Sequence, residues 1–362
     1  MDFAFNVPIN SVSFGQVSTC LLREAYRRKL DFPIFPIGSG VDLSSQEDDE
    51  GFFDWEKRNY ASSERKHSRS SPTFKLWHLK DSLSSMSERQ LLLSFYELDS
   101  PTQAEINILK NQAKVLVSSN FTKEVFESHG VDNVFSVPLG FDKHNFSTTD
   151  KTYAPEGRVT FTLCGKFEKR KHHAKILKAW AKKYGNNKDY FLNCALYNHF
   201  LSPEQNNAQI AQALENEKYF NINFVGYMDK NELYNDFLNA GDIVIGMSGG
   251  EGWGLPEFHS VGLGKHAVIL NANAYKEWAS TRNSVMVEPS GKIPAADGHF
   301  FHQGGLFNQG EIYDWKEDDF LSACEVAISR VQSNKVNRNG LELQEEFTIE
   351  KSFDAITNHL KD

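Results

Sequence analysis

The amino-acid sequence predicts an α/β protein in which two similar halves, each a parallel sheet with helices on both faces, face each other across a cleft. Three observations lead to this fold class. Short apolar runs alternate with helical patterns along both halves. A polar stretch at residues 144–157 interrupts the alternation and is typical of a linker. A glycine-rich loop near residue 250 lies between two apolar runs, as in the strand–loop–helix–strand unit of a parallel sheet.

The first half contains most of the irregular sequence. Strands are predicted at residues 3–7, 32–37, 74–79, 91–96, 115–118 and 134–138, and helices at 16–29, from Ser100 onward and at 119–128. Residues 44–73 break the pattern, because an acidic run precedes a basic, serine-rich run. We interpret this segment as a long surface insertion, mobile or partly helical, with a recognition loop as the alternative to a solvated loop.

The second half restarts the alternation after the linker. Strands are predicted at residues 159–163, 189–196, 222–225, 242–247 and 267–270, and helices at 174–183, 232–238, 258–264 and 349–360. Together the two halves predict a first domain over residues 1–150 with the insertion at about 44–73, a second domain over 157–340, and a C-terminal helix within 341–362.

Length, charge and cysteine content restrict the class of protein. A chain of 362 residues is long enough for two domains, each with its own core. The net charge of -9 argues against a general nucleic-acid-binding surface but leaves room for a local basic cleft. Four scattered cysteines predict reduced thiols in a cytoplasmic protein. No apolar run approaches the ~20 residues of a membrane span, while peripheral contact through a basic amphipathic helix stays open.

Two loops carry residue patterns that point to chemistry. The first follows a predicted strand, precedes a predicted helix and contains four cations: Lys166, Lys169, Arg170 and Lys171. Since a helix N-terminus attracts anions, a diphosphate is its natural ligand, with a solvated basic turn as the alternative. The second loop, over residues 248–259, combines the carboxylate of Glu251 with glycines that permit close approach of backbone N–H groups to a ligand.

Segments in both halves resemble the retaining glycosyltransferases of family 4. In the second half these segments are residues 165–171, 223–227 and 248–256, and in the first half they are 96–99, 119–121 and 137–142. The resemblance is specific over about residues 90 to 280. It implies a GT-B fold of two Rossmann-like domains, with the C-terminal helix returning to the first. It also implies transfer of a sugar from a nucleoside diphosphate sugar to an acceptor hydroxyl, with retention of configuration.

The resemblance further implies roles for individual residues. Lys166 and Lys171 would place positive charge on the donor diphosphate during catalysis, and Glu251 would lie against the donor sugar. The rest of the donor site would comprise Gly165, Arg170, Gly226, Tyr227, Ser248, Gly252, Trp253, Gly254, Leu255, Gly15 and Ser13. Neither a metal nor a resident cofactor is expected, and UDP- and GDP-linked sugars are the favoured donors.

One position departs from the family's pattern. His259 stands where the family has a second glutamate that binds the ribose hydroxyls. A neutral imidazole offers one donor and one acceptor, so it is also a candidate for the ribose, with a non-functional histidine as the alternative. Glu257 is expected to point elsewhere on the helix. In the first half, His78 and Glu97 are candidates on the acceptor side, with structural hydrogen-bonding roles as the alternative.

Other functions stay open on the sequence alone. A non-catalytic nucleotide-sugar-binding protein is one alternative, if position 259 marks a degenerate site. The same fold also serves epimerisation and phosphorolysis, the latter with a lysine-bound pyridoxal phosphate. A nucleic acid acceptor, contacted by the basic segment near Arg65, is disfavoured by the acidic balance of the chain. A saccharide or another hydroxyl-bearing molecule is the expected acceptor.

Overall fold

Two parallel six-stranded sheets organise the molecule. The computed structural model of the chain describes residues 2–149 and 157–361, and each of these ranges, called the first and second half below, contains one of the sheets. The prediction of an α/β fold with two facing halves is therefore confirmed. Residues 150–156 of the predicted linker lie outside the described residues, and the domain boundaries stay predictions.

The first half alternates strands and helices. Its elements are β1 (Ala4–Ile9), α1 (Ser13–Arg27), β2 (Ile34–Val41), α2 (Glu50–Lys66), β3 (Thr73–Leu76), β4 (Gln90–Leu93), α3 (Gln103–Lys110), β5 (Lys114–Val117), α4 (Asn120–Ser128) and β6 (Val134–Ser136). The strand order is β2-β1-β3-β4-β5-β6, and all neighbours are parallel. The central strand β4 is buried along its whole length, because helices cover both faces of the sheet.

The second half repeats this plan and adds a hairpin. Its elements are β7 (Val159–Gly165), α5 (His173–Tyr184), β8 (Tyr190–Leu196), α6 (Pro203–Ala213), β9 (Ile222–Val225), α7 (Asn231–Asn239), β10 (Ile243–Gly246), α8 (Leu255–Gly262), β11 (His266–Leu270), β12 (Val285–Val287), β13 (Gly291–Pro294), β14 (Glu311–Asp314), α9 (Glu317–Ser333), α10 (Arg338–Leu341), α11 (Leu343–Glu346) and α12 (Ile349–Lys361). The sheet order is β12-β11-β10-β7-β8-β9, and β13 and β14 form a separate antiparallel hairpin. Among these described elements, no helix has the length and apolar character of a membrane span.

Several local predictions differ from the structure. The segment at 44–73 is partly helical, as one of its two predicted states, but its helix α2 covers the sheet as an integral layer: Trp55 is buried, and Ser63 exchanges hydrogen bonds with the backbone of Ile34. Helix α3 begins later than the predicted Ser100, because Thr102 and Glu105 form a capping box that fixes its start. Helices α6 and α9 and the β13–β14 hairpin were not predicted.

Strand order determines where a ligand meets each sheet. In an open parallel sheet, ligands bind beyond the carboxyl ends of the strands, at the point where the chain reverses its direction of winding. In the second sheet this point lies between β7 and β10, and in the first sheet it lies between β1 and β3. The two predicted chemical loops follow β7 and β10, and in the first half Ser13 begins the helix after β1 while His78 follows β3.

The last helix, α12, returns to the first half, as the resemblance implied. Phe353 is 1% exposed and joins the core of the first sheet, with its ring centre 6.2 Å from that of Phe5. Asp354 forms an ion pair with Arg28, the residue directly after α1. The chain reaches α12 along Phe141, whose backbone N–H donates to the carbonyl of Phe347 at 2.8 Å. The first half is therefore completed by the end of the chain.

We predict that Phe353→Ala lowers the free energy of unfolding by about 3–5 kcal/mol, since a fully buried aromatic side chain is lost from a packed core. Urea-induced unfolding of the purified protein measures this change. Asn358→Ala, on the exposed side of the same helix, is the control and should stay within about 0.5 kcal/mol of the original protein. A loss below about 1 kcal/mol for Phe353→Ala would show that α12 is not part of this core.

Candidate active site

The loops after β7 and β10 meet at the point where the second sheet reverses its winding. The loop after β7, residues 165–172, is called the basic loop, and the loop after β10, residues 248–254, is called the glycine loop. Gly165 opens the basic loop with a φ of +121°, and a Cβ there would lie 3.3 Å from the Cδ of Lys171. Glycine thus lets the Lys171 side chain fold back across the end of β7.

The Arg170 guanidinium lies at the centre of a buried charge cluster. Its side chain is 5% exposed, and its outer nitrogens contact three carboxylates: Glu168 at 2.6 Å, Glu97 of the first half at 3.1 Å and Glu251 of the glycine loop at 3.3 Å. It also donates to the carbonyl of Gly250. The basic loop, the glycine loop and the first half are therefore joined by one cation.

Lys171 forms the tightest contact with Glu251. The Lys171 Nζ lies 2.5 Å from Glu251 Oε1, and the two side chains are 11% and 7% exposed. Burial alone would raise the pKa of Glu251, but Lys171 and Arg170 lower it to about 2, so the carboxylate is ionised at neutral pH. The structure thus brings together, as an ion pair, two residues to which the resemblance gives catalytic roles.

Lys166 lies apart from that ion pair. Its Nζ is 3.1 Å from Glu168 and 3.9 Å from the centre of the Phe300 ring, and its side chain remains 30% exposed. Lys166 is therefore the more accessible of the two predicted catalytic lysines. Sequence reasoning missed Glu168, which holds both Lys166 and Arg170. A lone carboxylate among four cations in the basic loop was the available signal.

The glycine loop packs directly against the first half. A Cβ on Gly250 would lie 2.4 Å from the carbonyl oxygen of Glu97, and a Cβ on Gly252 would lie 2.7 Å from the Cβ of Phe95. Ser118 Oγ donates to the carbonyl of Gly252. Glycine at these positions thus allows the two halves to touch through backbone atoms. Approach of a ligand to the same backbone stays a prediction.

The other predicted donor-site residues of the glycine loop lie at the start of α8 or form hydrogen bonds directly before it. Gly254 precedes α8 with a φ of +84°, and Leu255 is its first residue. Trp253 is buried, and its carbonyl accepts from the indole N–H of Trp278 at 2.9 Å. Ser248 Oγ donates to the carbonyl of Gly250 at 3.0 Å. These hydrogen bonds hold the glycine loop in place directly before the N-terminus of α8.

The other predicted site residues line the edges of the cleft. Tyr227, which follows Gly226 after β9, is exposed, and its hydroxyl lies 2.9 Å from Ser11 Oγ of the first half. Ser13 begins α1, and a Cβ on Gly15 would lie 2.2 Å from the carbonyl oxygen of Asn10, so that the loop after β1 folds tightly over α1. His78 follows β3, with its ring centre 4.3 Å from that of Phe14.

His259 is enclosed by aromatic rings. It is 5% exposed, stacks on Phe146 with ring centres 4.1 Å apart, and meets the Phe141 ring edge-on at 5.2 Å. Burial lowers the pKa of His259 to about 4, so the imidazole is neutral at physiological pH. Its Nε2 has no hydrogen-bond partner among the described residues. A contact between His259 and a ribose stays a prediction.

Glu257 faces the buried ion pair. Its side chain is 4% exposed, and a Cβ on Gly246 at the end of β10 would lie 2.8 Å from its Cγ. Burial raises the pKa of Glu257 to about 7; Lys171 opposes this rise and Glu251 adds to it. Glu257 thus lies beneath the glycine loop, and its expected direction away from the ribose position of His259 stays a prediction. The helical spacing indicated that Glu257 and His259 point in different directions from α8. It did not indicate which of these two directions the glycine loop covers.

The β13–β14 hairpin connects the glycine loop to the first half. The Tyr313 N–H donates to the carbonyl of Gly249 at 2.9 Å. Lys292 Nζ pairs with Asp99 of the first half at 2.6 Å, and Ile312 is buried in a hydrophobic cluster of the first half. The hairpin thus contacts both the glycine loop and the first half. Within the described residues, no group of three or more His, Cys, Asp or Glu side chains is arranged to hold a metal ion.

Solved structures share the fold of this chain across their whole length. Sucrose-phosphate synthase from Thermosynechococcus elongatus matches with a TM-score of 0.65 at 13% identity, covering 99% of this chain and 98% of that one. HepE from Anabaena, in complex with UDP and glucose, matches with a TM-score of 0.67 at 13% identity, covering 100% of both chains. The chain has the GT-B fold.

A third GT-B structure agrees. The catalytic domain of starch synthase IV from Arabidopsis thaliana, bound to ADP and acarbose, matches with a TM-score of 0.66 at 10% identity, covering 99% of this chain and 98% of that one. No protein-family model matches the chain, and no curated protein matches it. The GT-B likeness therefore lies in the fold, and the chemistry has to be argued from the residues of this chain.

We predict that His259→Glu destabilises the protein by about 3 kcal/mol or more at pH 8, because it encloses an unpaired carboxylate among aromatic rings. The loss should be smaller at pH 5, since the buried carboxyl then takes up a proton. Thermal and urea unfolding at both pH values measure it, with His259→Gln as the neutral control. Equal stability of the two variants, with tighter nucleotide-sugar binding by His259→Glu, would show instead that position 259 reaches the ribose.

Proposed function

We propose that the chain is a retaining, metal-independent glycosyltransferase that moves a sugar from a nucleoside diphosphate sugar to an acceptor hydroxyl. The observation that carries the proposal is the buried Lys171–Glu251 pair at the point where the second sheet reverses its winding. A nucleoside diphosphate sugar presents a phosphate directly beside a ring that bears hydroxyls. A cation beside a carboxylate complements these two neighbouring groups, because the cation attracts the phosphate and the carboxylate accepts hydrogen bonds from the sugar hydroxyls.

When the donor binds, Lys171 and Glu251 would each exchange the other for a group of the donor. Lys171 would bind the phosphate next to the sugar, and Glu251 would accept hydrogen bonds from the sugar hydroxyls. Lys166, the more accessible cation, would approach the diphosphate from the edge of the cleft, while the N-terminus of α8 offers backbone N–H groups. The exposed Tyr227 would contact the base. GT-B relatives solved with UDP and glucose, and with ADP, support a nucleotide in this cleft.

The reaction needs no protein nucleophile. The acceptor hydroxyl attacks the anomeric carbon from the face that the diphosphate leaves, so that one C–O bond forms as the bond to the phosphate oxygen breaks. The hydroxyl proton passes to the departing phosphate. Lys171 and Lys166 stabilise the negative charge that develops on the leaving group, and Glu251 holds the sugar in position. UDP- and GDP-linked sugars are the favoured donors, and a saccharide is the favoured acceptor.

We predict that Lys171→Met and Glu251→Gln each lower donor turnover at least about 100-fold, because each removes charge that the transition state requires. A thermal-shift screen with UDP-, GDP-, ADP- and dTDP-sugars identifies the donor, and release of the nucleoside diphosphate then measures turnover. Lys182→Ala removes a surface lysine that pairs with Glu317 and should leave turnover unchanged. Wild-type turnover in both site variants, with the fold intact, would contradict the roles of Lys171 and Glu251 and the glycosyltransferase proposal that depends on them.

A non-catalytic nucleotide-sugar-binding protein is the second candidate. The enclosed, neutral His259 favours it, because the position of the family's ribose-binding glutamate offers no carboxylate. Calorimetry with nucleotide sugars, combined with an assay of donor hydrolysis, separates the two functions. Binding without any turnover, under conditions that saturate the donor site, would favour this candidate over the transferase.

A further inference from the structure

The segment between β13 and β14, residues 295–310, is called the strap, and it reaches from the basic loop to the first half. Near its start, Lys169 Nζ of the basic loop donates to the carbonyl of Ala296 at 2.9 Å. Near its far end, the Thr102 hydroxyl of the first half donates to the carbonyl of Leu306 at 2.6 Å. The strap is therefore attached to both halves.

The far end of the strap binds the N-terminal cap of α3. Thr102 and Glu105 form the capping box of this helix, and both also contact the strap. The backbone N–H of Asn308 donates to Glu105 Oε1 at 2.8 Å, beside the contact between Thr102 and Leu306. Two side chains that fix the start of a first-half helix thus also hold the strap.

A turn in the strap carries two consecutive phenylalanines. The Asp297 carboxylate accepts from the backbone N–H groups of Phe300 at 2.9 Å and Phe301 at 3.0 Å. Phe301 is buried in the apolar cluster of the first half, and Phe300 is half-buried at the edge of that cluster. The Phe300 ring also contacts Lys166, the cation to which the resemblance gives a role at the donor diphosphate.

The Lys166 ammonium already has three partners. Its Nζ lies 3.1 Å from Glu168 Oε2, 3.9 Å from the centre of the Phe300 ring and 5.4 Å from the centre of the Phe200 ring. The two rings meet edge-on, with centres 5.0 Å apart. An ammonium has three N–H donors and is attracted to the face of an aromatic ring. A diphosphate that binds Lys166 therefore has to compete with groups that are already in place.

We propose that the strap is an autoinhibitory element of the donor site: the Phe300 ring holds the Lys166 ammonium, and the donor diphosphate has to displace this ring in order to bind. The inference rests on the proposed function, in which Lys166 binds the diphosphate. A ring face attracts a cation through its quadrupole, whereas a diphosphate carries full negative charge. The diphosphate therefore displaces the ring, and the lost contact between Lys166 and Phe300 lowers the donor affinity.

The first test compares the donor affinity of wild type with that of two variants at position 300. Phe300→Ala removes the ring, and Phe300→Leu keeps an apolar side chain against the first-half cluster but has no aromatic face. Calorimetry measures the dissociation constant of UDP-glucose, or of the nucleotide sugar that the thermal-shift screen selects. We expect both variants to bind at least about threefold more tightly than wild type, because a competing cation–π contact is lost. Phe220→Ala removes an exposed ring before β9 and should follow wild type.

A double-mutant cycle shows whether the effect passes through Lys166. In a Lys166→Met background the donor binds without this cation, so there is no ammonium for the ring to hold. Phe300→Ala should then change the dissociation constant by less than about twofold. An equal gain in affinity in both backgrounds would show that Phe300 acts by another route, and it would overturn the proposal.

A fluorescent label on the strap detects its release directly. All four cysteines of the chain are buried, so Leu306→Cys provides one exposed thiol on the strap for selective labelling. We expect the fluorescence to change as the nucleotide sugar is added, with a midpoint at the dissociation constant from calorimetry. Unchanged fluorescence at a saturating donor concentration would contradict release of the strap.

The outcomes separate the two proposals. Equal or weaker donor binding by both Phe300 variants would overturn the autoinhibitory role and leave the transferase assignment standing. No binding of any nucleotide sugar by any of these proteins would contradict both proposals together. If Phe300→Ala does not fold, Phe300→Leu replaces it in the comparison and in the cycle, because leucine retains the apolar packing.

Discussion

The Arg170 guanidinium is the interaction on which the rest of the site depends. It holds one carboxylate from each of three segments: Glu168, Glu251 and Glu97. Burying this many charges is tolerable only when they are paired, and Lys166 and Lys171 bring the cluster to three cations and three carboxylates. The basic loop, the glycine loop and the first half consequently cannot move independently. Because the positive and negative charges of the cluster are equal in number, a diphosphate that enters it has to change which of these groups pair with one another.

Much of the fold could be predicted because it depends on local patterns. Parallel strands covered on both faces are continuous apolar runs, and β9 matched its predicted bounds at 222–225. The basic and glycine loops were assigned to the ends of strands, and the structure brings Lys171 and Glu251 together there. Strand order is not local, yet alternation of strands and helices leaves few arrangements for a parallel sheet.

The missed features depend on contacts between distant segments. The β13–β14 hairpin lies in a polar sequence, and its position is held by contacts such as Lys292 with Asp99, which no periodicity reveals. The surroundings of His259 depend on Phe146, more than a hundred residues earlier in the chain. The direction of Glu257 depends on which side of α8 the glycine loop covers. Sequence patterns identified the loops, whereas burial determined which side chains reach the centre of the site.

The return of α12 to the first sheet has a consequence for synthesis of the chain on the ribosome. Residues 2–149 emerge first, but the surface around Phe5 that receives Phe353 stays uncovered until residues 349–361 have been translated. The first half therefore keeps an exposed apolar groove while the whole second half is translated. An incomplete nascent chain would be a substrate for chaperones that bind apolar segments, and release from them would coincide with the arrival of the last helix.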